Sequence, residues 1–228
     1  MKNRIRIYTL MILGITLMLT TGCKKDDETP SGTVKDRDGN VYHTVTIGTQ
    51  VWMVENLKTT KYNDGTSIPL VTEGSSWEAL STPGYTWYKK DSATYKTTYG
   101  ALYNGYAVKT GKLCPKGWHV PTDAEWTVLT DYLGGWTVAG GKLKEVGFTH
   151  WNSPNGGATN ETGFSSLPGG YRHWSGDFDL LGIYGYWWSS TGNNSNQAYY
   201  RHMDCQYADL YRESFDLLYG LSVRCLKD

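Results

Sequence analysis

The chain of 228 residues carries 22 Lys and Arg against 22 Asp and Glu, and no basic stripe stands out. That balance gives nucleic-acid binding no electrostatic support, while the length suffices for one domain with a real core. Aromatic residues reach 14% and are skewed, with 18 Tyr and 10 Trp against only 4 Phe. Tyr and Trp combine apolar faces with a hydrogen-bonding tip, which suits half-wet surfaces and sugar-like ligands.

At the N-terminus Lys2, Arg4 and Arg6 form a basic n-region ahead of a short apolar run, residues 8–19. The run is too short to span a membrane and fits a secretory signal. It ends at Leu19-Thr20-Thr21-Gly22-Cys23, which resembles a bacterial lipobox with Cys23 as the acylated residue. The following Lys24-Lys25-Asp26-Asp27-Glu28 resembles the acidic export tag of Bacteroidetes surface lipoproteins. The expected organisation is a signal peptide over 1–22, a lipidated tether over 23–32 and one domain over 33–228, held at the outer membrane and exposed at the cell surface. Removing residues 1–22 takes Lys2, Arg4 and Arg6 from the 22 basic residues, leaving 19 against 22 acidic ones. Membrane attachment would then come from lipid, since several acyl chains anchor stably where one holds only marginally.

Residues 34–47 read as a hairpin turning at Asp38-Gly39, with Val41, His43, Val45 and Ile47 on one face. The run Asp36-Arg37-Asp38-Gly39-Asn40 hints at a calcium loop but lacks the third acidic position and the distal Glu, so it reads as turn chemistry. Further strands are expected at 51–57, 85–89 and 101–108. Pro121-Thr122-Asp123-Ala124-Glu125 reads as a helix start, with Thr122 as cap and Glu125 completing a capping box. Trp126, Leu129 and Leu133 form one apolar stripe, and Gly134-Gly135 ends the helix. A short helix over 141–145 and strands at 164–167, 186–189, 197–203 and 221–226 complete the reading. The class is α+β: a compact single domain of many short antiparallel strands with one main helix and a second short one.

Besides Cys23, three cysteines remain, and an exported chain can form disulfides. We pair Cys114, which opens the helical segment, with Cys225 in the apolar-alternating C-terminal strand. Such a bridge closes a loop of more than a hundred residues. Cys205 is then left over, and His202 lies at an odd offset from it on a strand, so the two face opposite sides.

Several segments are similar to the Fibrobacter succinogenes major paralogous domain, a family of exported bacterial proteins. They include DGNVYHTVTIGTQVWMVENLKTTKYNDGT (38–66), LYNGYAV (102–108), LCPKGWHVPTDAEW (113–126), NETGFSSLPGGYR (160–172), GYWWSST (185–191) and GLSVRCL (220–226). The resemblance implies a fold related to C-type lectins and to formylglycine-generating enzymes, and the Cys114–Cys225 pairing resembles the lectin bridge from first helix to last strand. It carries no catalytic residues onto this chain and implies a role in adhesion or glycan contact.

The expected function is therefore non-catalytic: a surface lipoprotein that contacts a glycan or a surface protein, without nucleic acid, cofactor or metal. Candidate contacts are Trp174, Trp187, Trp188, Tyr199 and Tyr211, whose flat faces can stack on sugar rings. Trp187 and Trp188 are neighbours on a strand, so at most one is expected to point inward. The alternatives are a formylglycine-generating-type oxidoreductase using Cys205 and Cys225, and a polysaccharide hydrolase. The five histidines, His43, His119, His150, His173 and His202, show no metal-binding spacing. Asp177 and Asp179 beside Tyr171-Arg172-His173 could form a polar cleft.

Overall fold

The computed structural model describes residues 32–228. The expected signal peptide, the lipid site at Cys23 and the tether up to residue 31 lie outside the described residues. The chain enters the domain as β1 (Thr33–Lys35), which pairs antiparallel with β2 (Val41–Ile47). The turn between them closes on Asp36, whose Oδ1 accepts the amides of Asp38 and Asn40, both at 2.9 Å. β2 pairs with β3 (Gln50–Met53), setting Val45 opposite Trp52. Two pieces from elsewhere complete this five-stranded sheet: β6 (Trp118–His119) and β13 (Leu226–Lys227), in the order β1-β2-β3-β13-β6.

The larger sheet takes its strands from the rest of the chain. They are β4 (Tyr85–Thr86), β5 (Leu102–Asn104), β7 (Gly169–Arg172), β8 (Phe178–Leu181), β9 (Tyr184–Gly192), β10 (Gln197–Asp204), β11 (Tyr211–Asp216) and β12 (Gly220–Leu221). The order is β11-β10-β9-β7-β12-β5-β4, with β8 on β7. Its pairings are antiparallel except for a parallel contact of β7 with β9 at Gly170 and Gly185. The result is a single domain built mainly of β-strands with few helices.

The helices are α1 (Gly74–Glu78), α2 (Ser92–Tyr99), α3 (Gly105–Lys109), α4 (Asp123–Tyr132) and α5 (Trp136–Leu143). The expected main helix is α4, with the complete capping box of Thr122 and Glu125. The second helix lies earlier than 141–145: it starts after Gly135, at φ 98°, and ends at Leu143. Its Gly140 and Gly141 are packing sites, since a Cβ there would lie 2.2 Å from the Asp209 carbonyl and 2.3 Å from that of Gly157. Three helices escaped the sequence reading. Asp91 accepts the amides of Ala93 and Thr94 to start α2, and Asn104 accepts that of Ala107 to start α3 inside the stretch expected as a strand.

Two other expected strands are also corrected. Residues 164–167 form no strand, only an isolated bridge of Ser166 to Lys144. The strand expected over 221–226 is cut in two because this segment crosses from one sheet to the other. The Ser222 carbonyl accepts Trp188 N–H in the larger sheet, and the Cys225 carbonyl accepts Met53 N–H in the smaller one. Arg224, buried in the crossing, donates to the carbonyls of Phe164 and Ser165 and to Asn56 Oδ1. Burial lowers its pKa to about 9 against the pull of Glu55.

Cys114 and Cys225 are disulfide-bonded, and Cys205 is free and buried. Both faces of the β9–β10 region are covered, by two different apolar clusters. One contains Trp188, Tyr200 and Tyr186; the other contains Trp187, Met203 and the Trp52–Trp126–Phe164 group. Trp187 and Trp188 thus do face opposite sides, yet each is fully buried. The expectation that at most one lies inward fails because the sheet is a central layer rather than a half-wet one.

Candidate functional site

β11 is the edge of the larger sheet, and Tyr211, Glu213 and Phe215 alternate along it on one face. The register with β10 places His202 beside Tyr211 and Tyr200 beside Glu213. His202 stacks on Tyr211 at 4.8 Å, and Tyr200 stacks on Phe215 at 4.2 Å. Phe215 stacks in turn on Tyr219 at 4.1 Å, and Tyr219 meets His173 edge-on at 5.1 Å. His202 and Tyr200 lie 5.7 Å apart, which makes the ladder continuous across the two strands. Each such ring pair adds about 0.5–1.5 kcal/mol beyond its buried area; Tyr200 and His202 are themselves buried, so the middle of the ladder belongs to the core and its ends reach the surface.

An exposed tryptophan stands at each end. Trp174, 43% exposed, lies 4.9 Å from His173, and Trp136, 55% exposed, lies 6.0 Å from Tyr211. Beside Trp174 opens a cleft of about 410 Å³ lined by Gln197, Ser214, Phe215, Asp216 and Tyr219. Gln197 Oε1 accepts from Asn193 and Asn194, while its Nε2 has no hydrogen-bond partner among the described residues. Beside Trp136 opens a second cleft, about 400 Å³, with Tyr211 and Leu210 as further apolar wall and Asp131, Arg201 and Arg212 as polar wall.

The charges of this second cleft are largely spoken for. Buried Arg201 donates to Asp123 Oδ1 at 2.7 Å, and Arg212 donates to both oxygens of the same carboxylate at 2.9–3.0 Å. Burial opposes ionisation of Asp123, but the bonds from Arg212 and Arg201 outweigh it and hold the carboxyl below its usual range. Between the clefts, His202 is 9% exposed and its Nδ1 has no hydrogen-bond partner. Burial lowers its pKa, against Glu213 and Asp204, so the imidazole is neutral at neutral pH.

The five sequence candidates separate accordingly. Trp174 and Tyr211 line the two clefts. Tyr199 sits on the opposite face of β10, covered by the Arg212 guanidinium at 3.9 Å. Trp187 and Trp188 are core residues: their indoles donate inward, to Asn56 Oδ1 and to the Tyr103 carbonyl, both at 2.8 Å. Trp136 escaped the sequence reading because it follows Gly134-Gly135 and reads as part of a loop. Its signal was its place at the first turn of an otherwise apolar helix.

The polar cleft expected around Asp177 and Asp179 does not include Arg172. That side chain is fully buried, donates to the carbonyls of Val71, Thr72 and Gly176, and lies over the Trp77 ring at 4.4 Å. Burial lowers its pKa to about 10. Among the described residues no group of three or more His, Cys, Asp or Glu is placed to hold a metal ion, and no helix among them is long and apolar enough to cross a membrane.

The fold is a mainly β single domain, and the family comparison agrees with the sequence segments above. Residues 45–227 match the model of the Fibrobacter succinogenes major domain, and the chain belongs to that family. Neither the curated proteins nor the solved structures contain a significant match to the chain.

Proposed function

We propose that the protein is a non-catalytic surface lipoprotein, anchored in the outer membrane through Cys23, that binds a glycan at the exposed tryptophans standing at the ends of the aromatic ladder. The observation that carries this reading is the pair of exposed tryptophans, Trp136 and Trp174, at the two ends of one continuous run of stacked, tilted and edge-on ring contacts. Flat aromatic faces bind the apolar faces of sugar rings, and the amide, hydroxyl and carboxylate groups of the clefts suit their hydroxyls. The internal pairing of Arg201 and Arg212 with Asp123 favours a neutral sugar over an anionic one at the Trp136 end. A C-type-lectin-like relationship is part of the same reading, supported by the disulfide joining the segment ahead of α4 to the segment that leads into the last strand.

Isothermal titration with plant, mucin and yeast polysaccharides tests it. Binding is expected for at least one class, with loss in Trp136→Ala and in Trp174→Ala. Silence across all three classes would remove the glycan reading and leave a protein partner.

A further inference from the structure

Gln197 and Asp216 stand directly opposite each other in the β10–β11 register, so their side chains leave the sheet on the same side, with Cβ atoms about 5 Å apart. Both line the cleft beside Trp174. One oxygen of each is tied down within the fold. Gln197 Oε1 accepts from Asn193 at 3.3 Å, from Asn194 at 3.1 Å and from Ser214 at 3.5 Å. Asp216 Oδ1 accepts the Leu218 amide at 2.9 Å, in a turn that is closed further by Tyr219 N–H on the Asp216 carbonyl and by the Trp77 indole on the Leu218 carbonyl. The remaining atoms, Gln197 Nε2 and Asp216 Oδ2, have no partner among the described residues.

Trp174 is held as firmly. Its turn is closed by His173 N–H on the Asp177 carbonyl at 2.7 Å and by Gly176 N–H on the His173 carbonyl at 2.9 Å. Gly176 also packs so closely on the start of α1 that a Cβ there would lie 2.4 Å from the Gly74 Cα. The cleft thus presents an apolar ring, one amide donor and one charged acceptor, all fixed before a ligand arrives, which lowers the ordering cost of binding.

A peptide group matches such a pair in one sense only, its N–H on the carboxylate and its C=O on the amide. A hydroxyl both donates and accepts, so two neighbouring sugar hydroxyls satisfy the pair in either sense. One donates to Asp216 while the other accepts from Gln197, and the exposed indole takes the apolar face of the same sugar. Charge narrows the class further. The lining carries one carboxylate and no Lys or Arg, so an acidic sugar would set its own carboxylate against Asp216 with no cation there to offset it.

We infer that Gln197 and Asp216 are the specificity-determining pair of the Trp174 cleft and that it takes a neutral sugar residue through two adjacent hydroxyls. The inference rests on the glycan reading and adds to it the sugar chemistry this end selects and the atoms that select it.

The test exchanges donor and acceptor. Asp216→Asn keeps an oxygen for the Leu218 amide and turns the outward acceptor into a donor. Gln197→Glu keeps an oxygen for Asn193 and Asn194 and turns the outward donor into an acceptor, so the double variant has the net charge of wild type. Isothermal titration of the full chain uses a neutral plant glucan, yeast mannan and polygalacturonate. Wild type is expected to bind a neutral polymer and not polygalacturonate, an arm that needs no variant. Each single substitution is expected to weaken that binding about tenfold or more, as the loss of a hydrogen bond to a charged group does. Gln197→Glu/Asp216→Asn is expected to recover to within about threefold of wild type, because hydroxyls can reverse their roles. A double variant no better than its weaker parent shows a ligand group of fixed direction, such as a peptide, and overturns the inference. Single variants that bind like wild type, or polygalacturonate bound as tightly as the neutral polymers, overturn it as well. In each of those cases the glycan reading still stands if Trp174→Ala loses binding, whereas a wild type silent toward every polymer removes both.

Discussion

Arg201 and Asp123 join the start of α4 to the middle of β10 through a 2.7 Å ion pair in which the arginine is 2% exposed and the aspartate 15%. A second bond from Arg201 reaches Thr127 Oγ1 at 3.2 Å, one turn along the helix. Removing the carboxylate leaves a buried guanidinium without its counter-ion, which costs about 3–5 kcal/mol. Asp123→Ala is therefore expected to lower Tm by roughly 10 °C or more at neutral pH. The pH dependence follows from the same pair. A carboxyl whose folded pKa is depressed contributes stability that is present above its unfolded value, here 3.8, and lost as pH falls through the folded value. Wild type should lose stability steeply below about pH 4, and Asp123→Ala should lose less over that window. Equal acid slopes in thermal melts would show that the pair contributes nothing.

The parts of the fold that could be read from the sequence are those specified locally. The Thr122/Glu125 capping box and the stripe of Trp126 and Leu129 lie within one helix, so α4 was legible from its own residues. Helix α3 was not, because Leu102, Tyr103 and Asn104 are strand and only the Asn104 side chain turns the chain into a helix. The segment 222–225 looked like one strand because its alternation is genuine, but its carbonyls serve two different sheets, which no local pattern encodes. At the site, the sequence supplied aromatic types without their surroundings. Trp187 was expected on a strand and Trp174 off one, but the alternation could not show that the strand is covered on both faces, and that cover is what separates the two rings.

That difference gives opposite outcomes for chemically identical substitutions. Trp187→Ala and Trp188→Ala each empty a fully buried site and break an indole hydrogen bond, at about 3–5 kcal/mol. Trp174→Ala and Trp136→Ala remove exposed rings and should stay within about 1 kcal/mol of wild type. Urea denaturation of the four variants reads the contrast. If Trp174→Ala proved as destabilising as Trp187→Ala, the ladder end would be structural and the glycan reading would lose its main support.

The disulfide closes a loop with a sequence separation of 111 residues, for which the chain-entropy model gives about 4–5 kcal/mol. Cys114→Ser/Cys225→Ser is expected to unfold earlier in urea by that amount. Cys205, buried at 2% exposure, should resist maleimide in the native protein and react on unfolding. Rapid labelling of native Cys205 would contradict its place in the core.

His119 is held between the two ends of a different closure: its Nδ1 lies 2.6 Å from Asp228 and its Nε2 lies 3.0 Å from Glu125. Burial works against its charge, but the bonds to Asp228 and Glu125 prevail and raise its pKa above 6.5. A histidine with a raised folded pKa contributes stability that is fully present below its unfolded value and lost as pH rises through the folded one. The link between the last residue and the capping box of α4 should therefore weaken on the alkaline side of neutrality. Thermal melts from about pH 5.5 to about pH 8.5 are expected to show a Tm decline in wild type that flattens in His119→Gln. The effect is modest, because the ring is one-third exposed and solvent screens the pair. A wild-type Tm that rises over this window relative to His119→Gln would reverse the sign and show that the imidazole is held neutral at this junction.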